Sequence, residues 1–172
     1  MSIVNYFFRN MFFIYGIVTG IIATIIFDIF QFSLSYAYNI NKPRWDLVGR
    51  YFIGLKGKNL FREDIENEEQ IKNELFIGYL VHYSIGIIYG IFYVILNLFL
   101  SNNPSLYLAL IVGFLTVLGA WCIMMPYAYN IGFFASKKEE QKQIIVQNLI
   151  AHFIFGVGLY IGYVTIIEFK FA

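Results

Sequence analysis

Three ionisable side chains stand inside long apolar runs of this sequence, and their types set the chemistry open to it. They are Asp28, His82 and His152. An ionised carboxylate at the centre of a membrane span costs about 2.5–3.5 kcal/mol, and a neighbouring imidazolium offsets part of that cost. Histidine also titrates near neutral pH and is a common metal ligand. Together these residues indicate a buried polar site in an apolar protein.

Each of the three residues lies in a row at helical spacing that also contains small residues. Residues four apart share one face of a helix, and small residues let a second helix approach closely. A polar side chain in such a row faces the neighbouring helix rather than lipid. The sequence therefore predicts three packing seams that carry the polar side chains. The rows are Gly16, Gly20, Thr24 and Asp28; Gly78, His82, Gly86 and Gly90; and Asn148, His152, Gly156 and Tyr160.

The residues leave three interpretations of this site open. In the first, the carboxylate and the imidazoles form a hydrogen-bonded pair that only fixes helix register. In the second, Asp28, His82 and His152 hold a metal ion, because imidazole and carboxylate suit zinc or iron. Met125 as a further ligand would shift that preference towards copper. In the third, the residues form a path for a proton or a small ligand. In every case Asn148, one turn before His152, is expected to orient the imidazole ring.

The composition is that of an integral membrane protein. Of 172 residues, 59% are hydrophobic and 13% are charged, and the mean hydropathy is +0.66. The net charge of +1 gives no reason to expect a nucleic-acid partner, so the expected partner is the lipid bilayer. No Ser, His and acid arrangement and no phosphate-cradling glycine loop stands out. Enzyme activity is therefore not favoured.

Four apolar runs meet the requirement of about 20 residues for crossing a bilayer. They cover residues 11–36, 75–99, 105–128 and 144–168. We predict an all-α membrane protein, a four-transmembrane-helix bundle forming one integral membrane domain over residues 1–172. The second and fourth runs share the pattern His-aromatic-x-x-Gly, and the first and third share Gly-x-x-Thr-x-x-x-Ala. A duplicated helical hairpin is therefore a further hypothesis.

Residues 39–74 form the one substantial polar segment. Apolar residues recur within it at helical spacing, beginning at Trp45. This pattern predicts a short amphipathic helix that lies on the membrane surface. Trp45, Arg44 and Arg50 are expected to anchor that helix to lipid head groups.

The distribution of basic residues predicts an orientation. Lysine and arginine are concentrated in the loops after the first and third runs. The positive-inside rule then puts both loops in the cytoplasm and both termini on the other side, in the periplasm. With this topology the three buried ionisable residues lie at one depth, ~12–15 Å from the cytoplasmic ends of their helices. Four spans leave little room for a pore in one chain, so a transport role would require a homo-oligomer or a membrane-protein partner.

Motifs over nearly the whole chain resemble a bacterial family of small multi-pass inner-membrane proteins, the family known as domain of unknown function 2938. The most specific block is the closing one, from His152 to Tyr160. The resemblance implies a bacterial inner-membrane protein and no particular activity. The family pattern has glutamine where Met125 stands here. The matching residues are Gly20, Ala23, Thr24, Asp28, Gly49, Arg50, His82, Tyr83, Gly86, Gly113, Thr116, Pro126, Gly132, Phe133, Ala135, Ser136, His152, Phe155, Gly156, Gly158, Leu159 and Tyr160.

Two functions follow as hypotheses. The first is a small binding or transport-type membrane protein whose buried site handles a proton, a metal ion or a small ligand. The alternative is a structural or accessory membrane subunit in which the same residues only fix helix packing. Stability and function measured in histidine variants separate the two, because a register pair is needed for stability and a ligand site is not.

Overall fold

The computed structural model of the chain describes residues 3–40, 42–57, 60–101 and 103–171, with side chains from residue 11 to residue 168 of these ranges. This part of the chain contains helices and no strand. The α-helices are α1 (Ile3–Tyr38), α2 (Trp45–Gly54), α3 (Glu74–Leu100), α4 (Leu106–Gly119) and α5 (Gln141–Phe171). A π-helical segment, Ala120–Ala128, continues α4, and a short 3₁₀ turn, Phe133–Ala135, precedes α5.

The four predicted spans are confirmed as four helices long and apolar enough to cross a membrane. They are Met11–Tyr38, Glu74–Leu100, Leu106–Ala128 and Gln141–Glu168. Their bounds lie within three residues of the predicted ones. The chain is therefore an all-α membrane protein built as a four-helix bundle.

The third span changes its geometry around its only proline, Pro126. Pro126 has no N–H and its ring crowds the preceding turn, so regular α-helical bonding cannot continue through it. The chain adopts π-helical bonding instead, and the amide of Tyr129 donates to the carbonyl of Met124 at 3.0 Å. The helix then ends at Ala128, where the sequence predicts its end.

Helix α1 is the centre of the bundle. It packs along α3 on one side and along α5 on the other, and α4 packs mainly on α5. The contact between α3 and α4 is small by comparison. A duplicated hairpin would make the α3–α4 interface match the α1–α5 interface, so the packing does not follow the duplication hypothesis. The loose contact leaves a gap between α3 and α4.

The rows of small residues are confirmed as packing seams within the chain. A Cβ atom added at Gly20 would clash with the backbone of α3 at Gly86, and one added at Gly90 would clash with α1. The same holds between α4 and α5 at Gly113 and Gly156. Because these helices touch backbone to backbone, polar side chains in the same rows are held against their neighbours.

Helix α2 forms as predicted, but it packs on protein rather than lying freely on the membrane surface. Its backbone lies directly against α3, because Gly49 and Gly78 have no side chains to separate the two helices. The prediction that Arg50 anchors lipid head groups is wrong. Its side chain is 2% exposed, and its Nε and Nη2 each donate to the carboxylate of Glu74 at 2.8 Å. These bonds raise the pKa of the Arg50 guanidinium and join α2 to the start of α3.

Candidate functional site

The carboxylate of Asp28 is the centre of a three-residue hydrogen-bonded group between α1 and α3. Its Oδ1 lies 3.0 Å from Nε2 of His82, and its Oδ2 accepts from the hydroxyl of Tyr83 at 3.1 Å. The Asp28 residue is 7% exposed. A buried carboxylate that keeps a hydrogen bond on each oxygen avoids most of its desolvation cost. The group therefore fixes the register of α1 against α3.

The imidazole of His82 is covered by an aromatic ring from α2. Trp45 stacks on it with ring centroids 3.8 Å apart and an interplanar angle of 20°. Trp45 is the first residue of α2, and the close packing of α2 on α3 brings it there. Trp45 thus contributes to the site through this stacking, and its role as a membrane-surface anchor stays a prediction. Arg44 remains exposed and pairs with Asp46 at 2.7 Å, so its anchor role stays a prediction.

The imidazole of His152 is oriented by a threonine of α4. Nδ1 of His152 lies 2.6 Å from the hydroxyl oxygen of Thr116, and that hydroxyl donates to the carbonyl of Gly113 at 2.5 Å. A hydroxyl has one hydrogen, so with that hydrogen on the Gly113 carbonyl we assign the proton of the neutral His152 ring to Nδ1, which donates to the threonine oxygen. In the neutral ring Nε2 is then a hydrogen-bond acceptor. No side chain or carbonyl in the described part of the chain occupies it.

The expected role of Asn148 is wrong. Its side-chain amide donates to the carbonyl of Ile144, one turn back in the same helix, at 2.9 Å. This bond holds the amide on its own helix, and the threonine takes the orienting role instead. Asn148 still lines a small cavity beside His152.

One phenylalanine lies close to both histidine rings. The ring centroid of Phe27 is 5.6 Å from that of His82 and 5.8 Å from that of His152. Phe27 also meets the ring of Phe155 at 6.4 Å, in an edge-to-face arrangement. The structure thus brings Asp28 and His82 into direct contact, whereas His152 bonds to Thr116 instead.

This arrangement does not form the metal centre that was one interpretation of the sequence. Within the described ranges, no three His, Cys, Asp or Glu side chains are grouped so that they could hold a metal ion. Asp28 and His82 are already hydrogen-bonded to each other, and His152 is hydrogen-bonded to Thr116. Met125 is buried in the π-helical segment.

An apolar cavity of about 430 Å³ occupies the gap between α3 and α4. Both histidines contribute to its wall, with Thr24 and Thr116 near them. Two strongly exposed residues, Ile88 and Ile123, also line it, so the cavity opens sideways between α3 and the π-helical segment. In a membrane this opening faces lipid. We call this space the apolar cavity. Its other walls are Phe27, Trp45, Val48, Phe52, Val81, Ile85, Gly86, Tyr89, Gly119, Ala120, Met124 and Phe155.

The sequence pattern missed four residues of the site as partners of the histidines. Tyr83 follows His82 directly, so its place beside Asp28 had a local signal. Thr116 was visible as a small residue of the third run, but its bond to His152 depends on how α4 and α5 are aligned. For Phe27 and Trp45 no spacing rule distinguished these aromatic residues from the many others in the chain.

The fold and the site together define a class: a four-helix membrane protein with a buried Asp–His pair next to an apolar, lipid-facing cavity. The family model described as protein of unknown function DUF2938 matches residues 17–166. The chain therefore belongs to that family. It matches no curated protein and no solved structure. The family carries no assigned activity, so a function has to be argued from the site.

Proposed function

We propose that the chain binds a small amphipathic molecule of the bilayer in the apolar cavity, with the polar head of that molecule against the histidines. The observation that carries this proposal is the apolar cavity itself, about 430 Å³ with His82 and His152 in an otherwise largely apolar wall. Ligand sites in proteins commonly measure about 300–1,000 Å³ and combine apolar walls with a few polar groups. The cavity fits that description.

The position of the opening supports entry from the membrane. Exposed isoleucines flank it, with Ile88 63% exposed and Ile123 53% exposed. An apolar rim does not attract a charged solute from water, whereas an acyl chain or aromatic tail passes it without losing its apolar surroundings. The ligand class is therefore a membrane-soluble molecule.

The chemistry of the head group follows from His152. Its Nδ1–H is committed to Thr116, so the neutral ring offers the cavity an acceptor at Nε2. A hydroxyl or phenol donates to such a nitrogen. We therefore take the ligand to be an apolar molecule with a hydroxyl head, and binding rather than chemistry to be the function.

A purely structural role is the second candidate, and one observation favours it. Both oxygens of Asp28 already have partners within the chain, so this part of the site is complete without a ligand. Such a group holds α1 against α3 whether or not the cavity is filled. The cavity and the unoccupied nitrogen of His152 are what a structural role leaves unexplained.

Photolabelling in lipid nanodiscs tests the proposal. The probe is a long-chain alcohol with a diazirine in its tail, and labelled peptides are mapped by mass spectrometry. We expect labelling in the cavity wall of the native chain. Gly119→Trp should abolish most of it, because Gly119 lines the cavity and a Cβ atom added there meets no other atom within 4 Å. Leu118→Trp is the matched control, since Leu118 is exposed and does not line the cavity.

A second pair of probes separates a specific ligand from ordinary lipid. His152→Leu keeps the cavity apolar but removes the acceptor, and a hydrogen bond of about 1 kcal/mol corresponds to a roughly fivefold loss of alcohol labelling. Labelling by the same diazirine hydrocarbon without a hydroxyl should not change. Equal labelling of Gly119→Trp and Leu118→Trp would contradict the proposal. Equal labelling of the native chain by the alcohol and by the hydrocarbon would mean that the cavity holds ordinary lipid without recognising a hydroxyl.

A further inference from the structure

A second, smaller cavity lies on the other side of Phe27 and His152. Its volume is about 130 Å³, and polar side chains form much of its wall: Gln31, Gln147 and Asn148. A cavity needs roughly 10–15 Å³ to hold one water molecule and must offer it polar partners. This space, the polar cavity, is large enough for several waters or for the head group of a ligand.

The polar cavity lies towards the loop end of the bundle, where α1 ends and α5 begins. Ile40 and Pro43, from the segment that follows α1, form part of its wall. The loops meet at this end, because the amide of Arg62 donates to the carbonyl of Tyr127 at 2.8 Å. The polar cavity is thus the part of the site nearest to the solution on the loop side.

Phe27 and His152 line both cavities. The ring centroid of Phe27 lies 5.6 Å from that of His82 and 5.8 Å from that of His152. One aromatic ring and one imidazole therefore form the partition between an apolar space open towards lipid and a polar space near water. The apolar cavity lies directly beside the Phe27 side chain.

We infer that the two cavities are the two halves of one passage, which Phe27 closes and through which a hydroxyl-bearing ligand passes between the bilayer and the solution on the loop side. The identity of what moves rests on the proposed function, whereas the passage rests on the cavities alone. The polarity along the passage suits an amphipathic molecule. Its tail lies against the walls of the apolar cavity, and its head meets His152 and then the side-chain amides of the polar cavity. The chain would then transfer its ligand rather than only hold it.

Thiol accessibility in lipid nanodiscs tests the passage without any ligand. In a Cys122→Ala background, single cysteines replace Gln147 in the polar cavity and Ala120 in the apolar cavity. The probe is a charged methanethiosulfonate reagent, which does not enter through lipid. With Phe27 present, we expect Gln147→Cys to react and Ala120→Cys to be protected. Phe27→Ala should raise the reaction rate of Ala120→Cys at least tenfold.

Phe155→Ala is the matched control. Phe155 is as buried as Phe27, at 6% against 7%, and it lines the apolar cavity but not the polar one. Its truncation enlarges the cavity and leaves the partition intact, so the rate at Ala120→Cys should stay low. If Phe27→Ala does not fold, Phe27→Leu tests the same partition and should give an intermediate rate.

Three results would overturn the inference. They are an unreactive Gln147→Cys, an Ala120→Cys that reacts equally with and without the Phe27 ring, and an equal gain of rate in Phe155→Ala. The outcome is independent of the alcohol photolabelling. A passage that opens in Phe27→Ala without any alcohol labelling would mean that the passage is correct and the ligand class is wrong.

Discussion

At the residue scale, Asp28 is where removal of one side chain should cost most stability. Asp28→Ala leaves His82 and Tyr83 without their shared acceptor inside the bundle. An unsatisfied buried group costs about 1–3 kcal/mol, so we expect a loss of that order in unfolding free energy. Unfolding in mixed micelles with increasing sodium dodecyl sulfate measures it. The neighbouring Ile29 is 60% exposed, and Ile29→Ala should change stability by no more than about 0.5 kcal/mol.

The same experiment on His152 gives a different expectation and so separates the two candidate functions. His152 makes one side-chain hydrogen bond, to Thr116, and none to Asp28. His152→Leu should therefore retain most of the stability that Asp28→Ala loses, while it loses alcohol labelling. A His152→Leu protein that melts as early as Asp28→Ala would favour the structural role.

Residue spacing alone was enough to bring Asp28 and His82 together, and the reason is physical. Each stands in a row of glycines, and a row that lets two backbones touch leaves its polar members no partner except the facing helix. The same reasoning was insufficient for His152, because its neighbours are set by the alignment of α4 on α5. Stacking of Trp45 on His82 depends on a loop that folds back, which side-chain periodicity does not encode.

At the element scale, the buried Arg50 holds the first loop on the bundle. Besides Glu74, its guanidinium donates to the carbonyls of Ile65 at 2.8 Å and Glu68 at 3.0 Å. Arg50→Lys keeps the positive charge, but a lysine ammonium lacks the planar guanidinium whose N–H groups donate to these partners in different directions. We expect residues 63–69 to be cut at least tenfold faster by a glutamate-specific protease, with a smaller effect on unfolding of the helices.

Arg44→Lys is the control for this prediction. Arg44 also pairs with an acidic residue, Asp46, but half of its side chain is exposed, and exposed ion pairs contribute only about 0–1 kcal/mol. The cleavage rate of Arg44→Lys should match that of the native chain. Equal rates in Arg50→Lys and Arg44→Lys would mean that the loop is held by its apolar contacts instead.

The transmembrane helices were predictable because length and apolar composition suffice for them, and the position of α2 was not. Amphipathic spacing predicted that α2 is a helix with one apolar face. Such a face can pack on the membrane surface or on another part of the protein, and the spacing does not distinguish the two. The choice between them rests on Gly49 and Gly78, which allow contact, and on the ion pair of Arg50 with a residue 24 positions away. Helical periodicity in the sequence does not indicate which residues pair over such a separation.

At the scale of the whole molecule, both candidate cavities lie within one chain. The expectation that transport requires an oligomer rested on the lack of room for a pore within four spans. A passage that opens sideways to lipid needs no second copy, because its walls come from α1 to α5 of the same chain. A homo-oligomer or another membrane protein as partner stays a prediction, and the exposed apolar faces suit either lipid or protein.

Orientation in the membrane is the remaining prediction at this scale, and single-cysteine labelling in intact bacterial cells tests it. Three membrane spans separate Lys56 from Glu168, so they should lie on opposite sides. In a Cys122→Ala background, an impermeant maleimide should label Glu168→Cys and reach Lys56→Cys only after the membrane is opened. The excess of basic residues in the loops gives the direction, with Lys56 in the cytoplasm. Labelling of both positions from one side would exclude the four-span topology, and the reverse pattern would mean that the passage opens outwards.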